Sequence, residues 1–324
     1  MMNNHMKKIL FIILITLFHG NSLAVVNDNS IVAIVNEDLI TSFDLNKRIA
    51  LVMKLSGIKR NLASNILFKK QILQTLIDET LVDQYANKVG IKLSNTEFDK
   101  YLNLISNQND FKAPEEMIKA LNVNKEEFYQ QLKTQVLLKK IIANEIAPHI
   151  KITNKELEDN KNISFKLQKQ DTNNKKISLS EIVLYKNDDN KQDIKKILAK
   201  LYNEIKQGAK FENLAKQFSQ SSTRESSGLI GWLDITQLSD QFYTAVNNLK
   251  IGQISKPIET EDSVVILKVN NKEKFNNTPQ NHKTLNETEL YNLLYNRKLN
   301  SHLRKFFNHC RQDSFIEIKE QNLY

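Results

Sequence analysis

Apolar positions along this chain recur first with a helical period and later with a mixed one, and the change divides it. The front opens on a short apolar run, IVAIVN from Ile31 to Asn36, then a turn at Glu37 and Asp38. A helix start follows near Thr41 or Ser42. From Ser64 to Lys88 the residues Leu67, Ile72, Leu73, Leu76, Ile77, Leu81 and Tyr85 form a helical stripe, with Gly90 just beyond as a stop. Ser94 and Glu97 make a capping-box pair for the next helix, because each side chain reaches the other's backbone N–H. Further helices are predicted after Pro114 through Leu121 and from Asn124 to about Ile146, where Pro148 ends the run. Thr153 and Glu156 repeat the capping-box spacing.

A polar stretch from Asn160 to Lys176, rich in Lys, Gln and Asn, reads as a linker. After it the texture turns mixed. ISLSEIVL, Ile177 to Leu184, alternates like a half-buried strand with Ile177, Leu179 and Val183 on one face. Glu181 falls on that same face, so its carboxylate must be paired, hydrogen-bonded, protonated or close to a cleft. Helices are predicted from about Lys191 to Gln207, closed by Gly208, and from Phe211 to Phe218; the strand DSVVILKV, Asp262 to Val269, follows. Four of the seven glycines lie between Gly208 and Gly252, which marks this part as turn-rich. A last helical stripe runs through Leu290, Leu294, Leu299, Leu303, Phe306 and Phe307. The closing run SFIEIK, Ser314 to Lys319, supplies a strand partner for Ile31 to Asn36, since a strand cannot stand alone.

The first residues change the picture of where the chain works. Lys7 and Lys8 precede an apolar run from Ile9 to Phe18, and Ser22-Leu23-Ala24 follows, so residues 1–24 read as a secretory signal cut after Ala24. That run is too short to cross a hydrocarbon core of roughly 30 Å as a helix. Cys310 is the single cysteine, so no internal disulfide forms and packing must hold the fold. The net charge of +9, two of which belong to Lys7 and Lys8, is spread through mixed-sign helices. That distribution gives a solvated surface and disfavours nucleic acid as a partner. Catalytic patterns are mostly missing: no histidine lies between Ile150 and Asn281, and there is no Gly-rich phosphate loop, GxSxG or HExxH. No cofactor, nucleotide or metal is implied.

The series LSEIVL, a helix, GAKFENLAKQFSQ, SSGLIGWL, IGQISKPIET and VVILKV resembles the parvulin family of peptidyl-prolyl isomerases in order and spacing over about 95 residues. The flanks resemble the SurA family of periplasmic chaperones. They carry an initial strand like IVAIVNEDLITSFDL, a segment like VGIKLSNTEFDKYL, a boundary like NEIAPHIKITNKEL, and a returning C-terminal helix and strand. There is room for one parvulin-like domain where the best-known members have two. The implied fold is α+β: a mostly helical SurA-N-like module at 25–170, completed by a C-terminal helix and strand at 285–324, plus a mixed parvulin-like domain at 175–272.

The resemblance also places a site. Positions matching the family's two histidines hold Glu181 and Val265, and a position commonly cysteine or aspartate holds Ser221. Leu238 and Phe242 match the apolar pair that lines the proline pocket. The implication is a surviving proline-shaped cavity with a degenerate polar network, hence weak or lost isomerase activity. Glu181 is then expected at a cleft edge, satisfied by Ser221 or by water. Three readings follow: a periplasmic chaperone for unfolded outer-membrane or secreted precursors, an active prolyl isomerase acting on exported proteins, or a structural subunit of an envelope assembly. The outer-membrane assembly machinery is a further candidate partner for the first.

Overall fold

The computed structural model describes residues 29–58, 65–159, 175–186, 191–235, 238–274 and 287–323. Residues 1–24, expected to be a signal, lie outside the described residues, as does nearly all of the expected linker. The fold is α+β, as the sequence predicts. In chain order the front holds strands β1 (Ile31–Val35) and β2 (Asp38–Thr41) and helices α1 (Ser42–Ser56), α2 (Ile66–Lys88), α3 (Asn95–Gln108), α4 (Pro114–Leu121) and α5 (Lys125–Ile141). Strand β3 (Lys175–Tyr185), helices α6 (Lys191–Lys206) and α7 (Phe211–Phe218), β4 (Leu229–Asp234), α8 (Asp240–Val246), β5 (Ile258–Glu259) and β6 (Ser263–Lys274) follow, and α9 (Glu287–Gln312) and β7 (Ile316–Ile318) close the chain.

Local chemistry explains the boundaries. Ser94 caps α3 through its Oγ on the Glu97 N–H, while Glu97 Oε2 accepts from Ser94 N at 2.9 Å; Thr153 and Glu156 do the same at 2.8 Å. A third box, Thr41 with Asp44, starts α1. The helix from Asn124 loosens after Ile141 into a π turn, Ile142–Ile146, and a 3₁₀ turn, Ala147–His149. Pro148 cannot donate an N–H to the ladder, which ends the run there.

Beyond the sequence reading is β2. Asn36 takes a left-handed conformation, φ 54°, which Asn tolerates better than most residues, and the chain folds back as a hairpin before α1 begins. β7 pairs antiparallel with the other edge of β1, giving the order β2-β1-β7 and tying the two ends of the chain together. α9 follows the same route. Its Phe306 packs edge-on to Tyr85 of α2 at 4.9 Å between ring centroids, and Arg311 binds Asp78 at 2.6 Å.

The second sheet runs β4-β3-β6-β5, all antiparallel. Because side chains alternate along β3 and β6, the sheet has two unlike faces. Ile182, Leu184, Val264 and Ile266 join α6 and α7 in one core that is continuous with Val52, Phe68 and Ile72 of the helical module. Phe68 and Phe218 meet across this seam at 5.5 Å. Polar groups lock it: the Lys210 N–H donates to Ser56 O at 2.9 Å, and Gln131 Nε2 to Gln217 Oε1 at 2.7 Å, both glutamines being buried. A polar linker by itself would leave this unit free to move; these contacts dock it on the helical module. The opposite face carries Leu179, Val183, Val265 and Leu267, covered by α8.

Candidate functional site

Glu181 belongs to that second face of β3, opposite Leu267 of β6. Among the described residues its side-chain partners are hydroxyls. Ser221 Oγ donates to Glu181 Oε1 at 2.6 Å and Thr223 Oγ1 at 3.0 Å, and both hydroxyl residues are buried. Burial raises the Glu181 pKa above the ordinary carboxylate value, and the two hydroxyl bonds only partly oppose it. Ser221 is thus the partner the sequence reading named. Thr223 was missed: it sits in the short 3₁₀ turn Ser222–Ser226, which only the folded backbone brings back onto β3.

Backbone geometry fixes the carboxylate's position. The Glu181 N–H donates to Gly228 O at 2.8 Å, and Gly228 has φ 85°. A Cβ at Gly228 would stand 2.4 Å from Glu181 O and 2.9 Å from Ala215 Cβ, so this crossing admits glycine alone.

The apolar half of the site forms as one wall. Leu238 and Phe242 pack on a cluster that contains Val183, Ile258, Val265 and Leu267. Val265 is 4% exposed and pairs with Val183 on one side and Ile258 on the other. It therefore gives that wall bulk and no hydrogen bond. The five residues singled out in the sequence lie on the same side of the sheet but split by chemistry: Glu181 and Ser221 in a closed polar cluster, Val265, Leu238 and Phe242 in an apolar one.

A contact from outside this unit reaches the polar cluster. Asn300 of α9 accepts a hydrogen bond from the Ser222 N–H through Oδ1, which also lies 3.3 Å from Ser221 Oγ. One turn on, Arg304 pairs with Asp262 and lies over the Tyr185 ring at 4.8 Å. Burial foremost pushes the Tyr185 hydroxyl up to about 12, so it stays a neutral donor. Behind Ser221 a cavity of about 530 Å³ opens between α2, the end of α5, α9 and Tyr185. Nothing in the sequence spacing marks Asn300, since its role depends on how α9 docks.

Chemically, the apolar wall can strip water from a prolyl amide, which disfavours the more polar planar form and so lowers the relative cost of twisting. The polar cluster offers little further help, because the Ser221 and Thr223 hydroxyls are already engaged with Glu181, with each other and with Asn300. Among the described residues no three His, Cys, Asp or Glu side chains converge to hold a metal. No described helix is long and apolar enough to cross a membrane.

Comparison with known proteins matches two regions. Residues 28–147 match the SurA N-terminal domain, and 177–271 match the PPIC-type PPIase domain. Chaperone SurA of Legionella pneumophila (strain Paris) is 27% identical over 253 residues, covering 74% of this chain and 57% of that protein. Foldase protein PrsA of Clostridium botulinum (strain Langeland) is 31% identical over 218 residues, covering 64% of this chain and 61% of that protein. In neither case does the chain span two thirds of its relative's length. A solved chain from work on two SurA-like chaperones of Campylobacter jejuni is 17% identical, with a TM-score of 0.40 over 90% of this chain and 99% of that one. The chain therefore joins a SurA N-terminal domain to one PPIC-type domain, and is a SurA-like protein with a single isomerase-type domain.

Proposed function

We propose that this chain is a periplasmic chaperone that holds unfolded outer-membrane or secreted precursors, and that its isomerase-type domain binds without catalysing appreciably. The observation carrying this reading is the polar cluster: Ser221 and Thr223 both bond to Glu181, so neither hydroxyl is left to donate to a twisting amide. Working boundaries are a cleaved signal at 1–24, a helical module at 25–170, the isomerase-type domain at 175–272 and the returning helix and strand at 285–324. Unfolded outer-membrane clients are extended and alternate apolar with polar residues. Such segments need apolar surface, and the 530 Å³ cavity beneath α9 offers some through Ile142, Leu299, Leu303 and Phe307, set among polar residues. Hand-over to the outer-membrane assembly machinery fits this role. Nothing in the reading needs a nucleotide, a cofactor or nucleic acid.

The reading is tested by diluting a chemically denatured outer-membrane protein into buffer with and without the purified chain and following light scattering. Suppression near stoichiometric amounts supports it, and unchanged scattering removes it. Excising 177–272 is a poor test, because that cut would uncover Phe68, Ile72 and Val52 at the shared core.

A second reading is an active prolyl isomerase, favoured by the intact wall of Leu238, Phe242 and Val265. Rotation about a peptide bond costs about 18–20 kcal/mol, so desolvation by that wall would have to supply most of any acceleration.

A further inference from the structure

Both halves of the isomerase-type cleft meet one helix that belongs to neither, α9. On the polar half, Asn300 Oδ1 accepts from the Ser222 N–H and stands 3.3 Å from Ser221 Oγ, the hydroxyl that bonds Glu181. On the apolar half, Tyr185 packs on the same cluster as Leu238 and Phe242. Arg304 lies 4.8 Å from the Tyr185 ring centroid while it pairs with Asp262. Asn300 and Arg304 are four residues apart in α9, so they share a helix face and present one surface to both halves.

What holds α9 in place is uneven. Its Leu290, Leu294, Leu299, Leu303 and Phe306 pack in clusters that contain, among the described residues, only side chains of α9 and the helical module. Toward the isomerase-type turn at Ser221 and Ser222 it offers hydrogen bonds and a surface ion pair, beside the 530 Å³ cavity. Polar contacts of this kind exchange with water at small net cost, whereas apolar packing does not. The helix is therefore anchored on one unit and only fastened to the other.

Asn300 also carries a telling group. A carboxamide is a peptide group without its chain, and this one caps a backbone N–H from 78 positions away, as a peptide carbonyl would. We propose that α9 is an autoinhibitory latch on the isomerase-type cleft, with the Asn300 carboxamide filling the subsite for a bound peptide's carbonyl. A proline peptide reaches the Ser222 N–H only as Asn300 leaves it. Only the unlatched fraction of molecules then binds, and the apparent affinity falls by that fraction. The inference deepens the reading of a cleft that binds without catalysing, and rests on it.

The test is fluorescence anisotropy of fluorescein-Ala-Ala-Pro-Phe-amide titrated with the full chain and three variants. Asn300→Leu keeps the bulk and removes the acceptor, and is expected to bind about fivefold tighter, the factor one neutral hydrogen bond supplies. Asn300→Asp keeps an oxygen for the Ser222 N–H and is expected to bind no tighter than the natural chain. Arg304→Gln removes only the surface pair and is expected to gain about twofold. A merely structural role for Asn300 would weaken binding on loss of the bond, so the gain is the diagnostic result. In prolyl isomerisation Asn300→Leu is expected to stay as slow as the natural chain, since Ser221 and Thr223 remain on Glu181.

Equal or weaker binding by Asn300→Leu, or by Arg304→Gln if the leucine variant does not fold, would overturn the latch and leave the chaperone reading in place. No binding by any of the four chains would overturn both the latch and the binding role of the cleft. Tighter binding by Asn300→Leu together with clear isomerisation would keep the latch and remove the non-catalytic reading.

Discussion

Two partly buried acidic sites in this molecule are held in opposite ways. In the helical module, Arg48 is 2% exposed and bridges Glu79 at 2.7 Å and Glu127 at 2.6 Å, with Arg224 from the isomerase-type unit 4.0 Å from Glu79. In the cleft, Glu181 has two hydroxyls and no basic partner among the described residues. Charge paired with charge fixes a geometry, because losing either partner strands the other in a poorly solvated place. A carboxylate held by hydroxyls keeps its freedom to take up a proton. The first arrangement therefore reads as architecture, and the second is the one on which the proposed non-catalytic role rests.

The comparison breaks most visibly at Arg48. Arg48→Met should leave Glu127 without its cation and Glu79 with only the more distant Arg224, and cost about 3–5 kcal/mol in urea unfolding. A loss below about 1 kcal/mol would mean that the network is not structural. Gly228→Ala comes next, at about 2–4 kcal/mol by the same measurement, since its Cβ meets the Glu181 carbonyl and its φ is left-handed. Near-neutral behaviour there would show that the 3₁₀ turn is free to shift away from β3.

Asp83 sharpens the contrast within the module itself. Burial foremost, opposed by hydrogen bonds from Thr134 and Gln130, raises its pKa from 3.8 to about 6. A raised folded pKa stabilises the fold fully below 3.8 and loses that contribution as pH rises to about 6. Asp83→Asn should flatten the melting temperature across that window and raise it at neutral pH. The smallest effect belongs to Glu181→Gln. Its folded pKa is likewise raised, so the stabilising contribution present below 4.5 fades as pH rises through the folded value. At neutral pH the glutamine variant should match the natural protein within about 1 kcal/mol or exceed it, and a much larger loss would show that the ionised carboxylate is structurally required.

What the sequence revealed, and what it hid, follows from the range of each interaction. The capping boxes at Ser94 and Thr153 are three-residue events and were legible directly. The β7 partner for β1 was legible by elimination, because a lone strand needs a neighbour. Glu181 stood out because one polar residue broke an apolar alternation, and Ser221 was a nameable partner through the resemblance. Thr223, Asn300 and the seam were not legible. Each depends on which faces of α7 and α9 meet other elements, and an amphipathic stripe specifies that a face is buried without specifying against what.

The central claim is that the isomerase-type cleft binds without catalysing, and its most direct test is prolyl isomerisation of a short proline peptide. The purified natural chain is measured beside a Glu181→His, Val265→His double variant, against an uncatalysed reaction that takes tens of seconds. The account predicts no acceleration by the natural chain, and any gain in the double variant would trace the loss to those two positions. Clear acceleration by the natural chain would contradict it, and would make the wall of Leu238, Phe242 and Val265 a catalyst that works by desolvation.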